Sequence, residues 1–161
     1  MRDGLLAAGA AALLVACAGP RPPESVLVLP PLPQARDLIE FEAGAGASLR
    51  YFVDAASLSV GPDGMVRYTL VARSPEGVEN VVHEAMRCAS GDYRVHAVGR
   101  GAGWAGRETP WQAISGARVQ RWRGALQREY FCPQSEPIRS AEEGVRALRE
   151  GGHPFARGFA R

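Results

Sequence analysis

The hydrophobic positions alternate over much of the middle of the chain. Val66, Tyr68 and Leu70 fall on one side of the run Met65 to Ala72, with Arg67 and Thr69 on the other. That is the period-two pattern of a half-buried strand. Leu49 to Val53 is a shorter strand candidate, ended by Asp54-Ala55-Ala56 and followed by Ser57 to Val60. Val78 to Cys88 is the longest, with Val82, Met86 and Cys88 on one face; Tyr93, Val95 and Ala97 share a face in the next. Gly61-Pro62-Asp63-Gly64, Ser74-Pro75-Glu76-Gly77 and Ser90-Gly91-Asp92 separate these runs. Proline presets φ and glycine tolerates positive φ, so each reads as a tight turn. Strands at this spacing predict an antiparallel meander.

Beyond Gly106 the period changes. Val119, Trp122, Leu126 and Tyr130 recur at helical spacing and predict a helix over 117–130. Gly124 weakens that prediction by about 1 kcal/mol, and a strand there is the alternative. Ser140, with Glu143 three residues on, marks a capping box for a second helix that Gly151-Gly152 stops. The fold class expected is α+β: a small antiparallel meander packed by one or two helices. Residues 151–161 read as a flexible tail.

The N-terminus follows another rule. Leu5 to Ala16 is apolar but shorter than the roughly 20 residues that span a bilayer. It has the length of a signal-peptide core. Leu14-Val15-Ala16-Cys17 resembles the bacterial lipobox, in which the cysteine takes acyl chains such as palmitate and cleavage falls just before it. Residues 1–16 are then a lipoprotein signal peptide and Cys17 the lipidated residue. The resemblance to that class implies the outer membrane, because Ala18 rather than aspartate follows the cysteine. Residues 17–36 hold six prolines, Pro20, Pro22, Pro23, Pro30, Pro31 and Pro33, and read as an extended, poorly packed tether. A proline-rich recognition ligand is the alternative. Residues 37–150 form the domain.

Charge narrows the function classes. The formal net charge is only +2, so no field toward nucleic acid is implied. All 19 basic residues are arginine, and Arg118, Arg121, Arg123 and Arg128 cluster about Trp122. With Cys17 lipidated, Cys88 and Cys132 remain, and an even pair in an exported domain predicts a disulfide. Closing a loop of sequence separation 44 stabilises by roughly 4 kcal/mol at most. Two cysteines without a histidine at ligand spacing make a poor metal site.

The remaining chemistry is sparse. Gly101 to Gly106 matches G-x-G-x-x-G, but Pro110 follows and no helix begins, so a connecting loop is expected. His83 and His96 fall opposite the apolar series and read as part of a solvated sheet face; His153 stands apart. Ser57, His96 and Asp54 permit a triad to be drawn, without a nucleophile elbow. For an enzyme, Glu84, Asp92, His83 and His96 are the strand-borne candidates. Trp104, Trp111 and Trp122, with Arg118, Arg121 and Arg123, make the candidate interaction patch. The tryptophans alternatively close the end of a small core.

Tyr51-Phe52-Val53-Asp54, Ala56-Ser57-Leu58, Val66 to Val71, Arg87-Cys88, Trp111 with Ile114, and Tyr130-Phe131-Cys132 resemble, in this order, the CNP-one-like family of proteobacterial proteins. The likeness covers roughly residues 37–150. More loosely, the Asp54-to-Ser57 strand start and the Trp111-to-Ile114 spacing resemble surface-adhesin E domains. The first resemblance implies no activity. The second implies an antiparallel sheet with a packed helix and binding of host proteins, with no contact residue transferable. The function expected is a non-catalytic interaction or structural module. It is expected to be anchored through Cys17, to face the periplasm, to pair with another envelope protein, and to need no cofactor, metal or nucleic acid. The alternatives are a periplasmic enzyme acting on a cell-wall substrate and an arginine-mediated anion binder.

Overall fold

The computed structural model describes residues 23–44, 47–115 and 120–157. The lipobox, Cys17, Arg118 and Val119 lie outside the described residues. Seven strands form one antiparallel sheet: β1 (Leu38–Phe41), β2 (Arg50–Val60), β3 (Met65–Arg73), β4 (Glu79–Arg87), β5 (Asp92–Arg100), β6 (Gly103–Gly106) and β7 (Gln112–Ala113). Neighbours in sequence are neighbours in the sheet from β1 to β6, and β7 returns to pair with β5. The predicted turns form: Gly64 donates to the Gly61 carbonyl and Gly77 to that of Ser74, with φ of +71° and +86°. The α+β meander with one disulfide is the fold of this chain.

Three stretches of the sheet differ from expectation. The break read at Asp54-Ala55-Ala56 is a bulge inside one continuous strand. Asp54 pairs with Thr69 and Ser59 with Arg67, so the bulged side carries the extra residues. Ser57 Oγ accepts the Thr69 N–H at 2.9 Å and so replaces the missing ladder bond. This makes β2, not β4, the longest strand. A second bulge between His83 and Glu84 on β4 and their partners on β5 breaks the alternation of Tyr93, Val95 and Ala97. Glycine-rich residues 101–106 are no free loop: Gly101, at φ +56°, turns a hairpin whose second arm is β6.

One face of the sheet carries Phe41, Val53, Leu58, Val66, Tyr68, Leu70 and Met86 into the main core. Helix α1 (Arg121–Ala125) runs into a wider π-type segment, Leu126–Phe131, and together they lie on that face. The predicted helix therefore exists, but over 121–131. The widened turn lets the adjacent Tyr130 and Phe131 both be buried, with Trp122 and Leu126. It ends at Cys132, which is bonded to Cys88 just past β4. Helix α2 (Ala141–Arg149) packs beside β1 and β2, its first turn capped by Ser140 Oγ accepting the Glu143 N–H. Residues after Gly152 were expected as a loose tail. Instead His153 is buried, donates its N–H to the Glu129 carbonyl, and meets Glu143 at 3.1 Å before the short helix α3 (Pro154–Arg157).

Candidate functional site

The second face of the sheet is the less expected one. The alternation predicts a polar second side for β3, yet Met65, Thr69 and Val71 are buried there, as are His83, Ala85 and His96 beside them. An antiparallel sheet ordinarily leaves such a face in water. Here the proline-rich segment crosses it. Residues 24–34 form a strap that joins no strand or helix but is pinned at several points. Ser25 N–H donates to Asp63 Oδ2 at 2.7 Å. Trp104 Nε1 donates to the Pro30 carbonyl at 2.7 Å. Leu32 reaches Gly99 of β5, where a Cβ would lie 3.5 Å from its Cδ2.

The firmest pin is Glu24. Arg87 closes β4, Arg94 lies on β5, and Trp111 stands just before β7. The Arg87 and Arg94 guanidinium carbons sit 3.7 and 4.8 Å from the centroid of the Trp111 ring. A planar guanidinium stacks well on an indole face, but two cations held so close need an anion. Glu24 Oε1 accepts from Arg87 Nη2 and from Trp111 Nε1, the latter at 3.0 Å. Its Oε2 accepts from Arg94 Nη1 at 3.1 Å. Glu108, more exposed, also accepts from Arg94 at 3.1 Å. Charge-assisted bonds of this kind are the stronger ones.

Beneath the strap lie the two histidines that were expected in solvent. His83 Nδ1 is 3.1 Å from Thr69 Oγ1, and its ring is 6.1 Å from that of His96 and 6.0 Å from Trp104. Neither buried ring nitrogen of His96 has a hydrogen-bond partner among the described residues. Burial, reinforced by the charges of His96 and Arg67, lowers the His83 pKa to about 4. Burial and Arg67 also lower that of His96, against the pull of Glu108 and Glu24. Both rings are neutral at ordinary pH. Arg67 is itself tied to Asp63 at 2.6 Å. Burial opposes the Asp63 charge, but hydrogen bonds from Arg67, Ser25 and Met65 hold that carboxyl well below its usual range.

On the core face, Glu84 is fully buried. Arg123 reaches it from α1 with Nη2 to Oε1 at 2.6 Å and Nε to Oε2 at 3.1 Å, and Tyr68 donates its hydroxyl at 3.1 Å. Burial pushes the Glu84 carboxyl up, while those three donors favour its charged form. Arg123 also covers the Tyr93 ring, with its guanidinium carbon 3.8 Å from the centroid.

The six residues of the predicted patch are therefore not one surface. Trp122 is a core residue stacked on Tyr51 at 5.9 Å. Arg123 is consumed by Glu84. Arg121 lies by Gly44 on the helix side, and Arg118 is outside the described residues. Trp104 and Trp111 belong to the opposite face, under the strap. The strand-borne enzyme candidates are divided in the same way. His83 and Glu84 are consecutive on β4 and point to opposite faces, and Asp92 sits at the start of β5. Asp54, Ser57 and Thr69 meet, but Ser57 donates to the Asp54 carbonyl and serves the bulge. The residues missed from sequence are Glu24, Arg87, Arg94 and Glu108. One signal was available: Glu24 is the only acidic residue between Cys17 and Asp37.

Among the described residues no group of three or more metal-ligating side chains converges, and no helix is long and apolar enough to cross a membrane. No curated protein and no solved structure matches the chain. The model of the CNP1-like family matches residues 19–149, a stretch that takes in the strap, the sheet, α1 and α2. On that match, over most of its length, the chain belongs to the CNP1-like family.

Proposed function

We propose that this protein is an envelope lipoprotein, held in the outer membrane through acyl chains on Cys17. Its domain faces the periplasm and acts as a non-catalytic interaction or structural module. The observation that carries the non-catalytic part is where the buried ionisable groups go. Strand alternation sends His83 and Glu84 to opposite faces, Glu84 is spent on Arg123, and His83 and His96 lie under the strap. General acid–base work needs such groups within reach of one reacting atom. The anchoring part rests on the lipobox-like run, and the bonded Cys88–Cys132 pair supports an oxidising compartment.

The test is the intact mass of the protein purified from membranes without reductant. The expected species lacks residues 1–16, carries acyl groups and is two hydrogens short. A full-length, unacylated chain with free thiols overturns both the anchor and the compartment.

A further inference from the structure

The Glu24 contact has the form of a ligand in a receptor. The receptor side is built entirely on the sheet: Arg87 and Arg94 come from paired strands, and Trp111 from the chain that runs back along β5. All three donors converge on the two oxygens of one carboxylate. The ligand side comes from the strap, which has no strand partner and leaves Val26 and Val28 almost wholly exposed at 91% and 80%. The same face holds an extended backbone at two further points. Asp63 accepts the N–H of the residue after the glutamate, and Trp104 donates to the carbonyl of residue 30. One acidic side chain and two backbone groups are thus read together, as an extended peptide would be.

We propose that Arg87, Arg94 and Trp111 form a binding site for an acidic residue on an extended polypeptide, and that Glu24 occupies it in cis. The proposal deepens the interaction-module reading and rests on it for the class of partner, a polypeptide; it does not require the anchor at Cys17. A carboxylate is preferred because two guanidiniums and an indole N–H offer donors only. The cis segment competes at an effective concentration on the order of millimolar. An incoming chain therefore succeeds only when it fits better or when the strap is drawn away.

The test uses the full chain in pure form, so a failed anchor does not affect it. The probe is a synthetic peptide of residues 21–30, and the same peptide with glutamine in place of glutamate. Glu24→Gln in the protein removes the cis competitor's charge. It is expected to bind the glutamate peptide about tenfold tighter than the unaltered chain does, to bind the glutamine peptide more weakly than the glutamate peptide, and to lose the gain when Arg94→Ala is added. A folded Glu24→Gln protein that binds neither peptide more tightly overturns the proposal. So does one that binds both peptides equally, or one that keeps its gain with Arg94→Ala. Should Glu24→Gln fail to fold, the Trp111 indole N–H resonance of the unaltered chain decides. It is expected to shift when the glutamate peptide is added above about millimolar levels, and a resonance that stays fixed overturns the site.

Discussion

Acid is expected to loosen this domain through His83. The group is buried at 2% exposure and faces Thr69 on β3, His96 on β5, Trp104 on β6 and the charge of Arg67. Its pKa falls from 6.5 to about 4, chiefly by burial. The folded protein thus keeps the ring neutral where the unfolded chain already binds a proton. The stability this confers is complete above pH 6.5 and is lost as pH falls toward 4. Each unit of difference is worth about 1.4 kcal/mol, so the full loss is about 3 kcal/mol. His96 is lowered too and acts in the same direction. Asp54 and Glu84 act oppositely: burial raises their pKa values, so their contribution is greatest at low pH and fades as pH rises through the folded values. The whole-protein profile sums these, and a comparison isolates the histidine. Urea unfolding of the oxidised protein is measured at about pH 7 and about pH 4.5, for the unaltered chain and for His83→Gln, which keeps a group able to bond Thr69. The unaltered chain is expected to lose about 2–3 kcal/mol more than the variant across that interval. Equal losses in both would refute the reasoning, because they would mean that His83 titrates in the fold as it does in the unfolded chain.

Arg123→Ala leaves the Glu84 carboxylate buried without its main partner. A loss of about 3–5 kcal/mol is expected in denaturant unfolding, recovered in large part when Glu84→Met accompanies Arg123→Met. Replacing Cys88 and Cys132 together by alanine is expected to cost about 4 kcal/mol at most, read as a lowered Tm that reductant no longer changes. Gly144→Ala, which a helix interior would ordinarily favour, is expected to destabilise by about 1–3 kcal/mol. Its Cβ would lie 2.6 Å from Ile138 Cδ1 and 2.7 Å from Leu58 Cδ2, and thermal melts check the sign.

The core face was legible because it obeys a period. Val66, Tyr68 and Leu70 on β3, and Val82 and Met86 on β4, alternate as the sheet requires. Trp122, Leu126 and Tyr130 keep helical spacing on the element that covers them, and Ser140 announces its helix by its own side chain. The second face was not legible, because its cover has no period at all. Arg67, Thr69 and His83 look solvated in sequence, yet all are buried, on a face crossed by a proline-rich stretch that promises no packing. Position along the chain hides the site for the same reason. Glu24 is 63, 70 and 87 residues from Arg87, Arg94 and Trp111, and no local pattern links them. The Arg–Trp cluster about residue 122 was conspicuous in sequence only because its members are adjacent. In the fold Trp122 faces the core and Arg123 neutralises a buried acid, so adjacency there reflects packing rather than a binding surface.

If Cys17 is the anchor proposed above, the strap ties it to the sheet. With Cys17 acylated as proposed, seven residue steps separate it from the seated Glu24. Seven steps reach at most about 25 Å, a leash that would hold the Trp111 side of the sheet close to the bilayer. Withdrawal of residues 24–34 would extend that leash to eighteen steps, or roughly 60 Å. His83 and His96, kept neutral by burial, lie on the face of the sheet that the strap crosses. A partner that takes Glu24's place must also displace the Ser25–Asp63 and Pro30–Trp104 contacts before the tether lengthens.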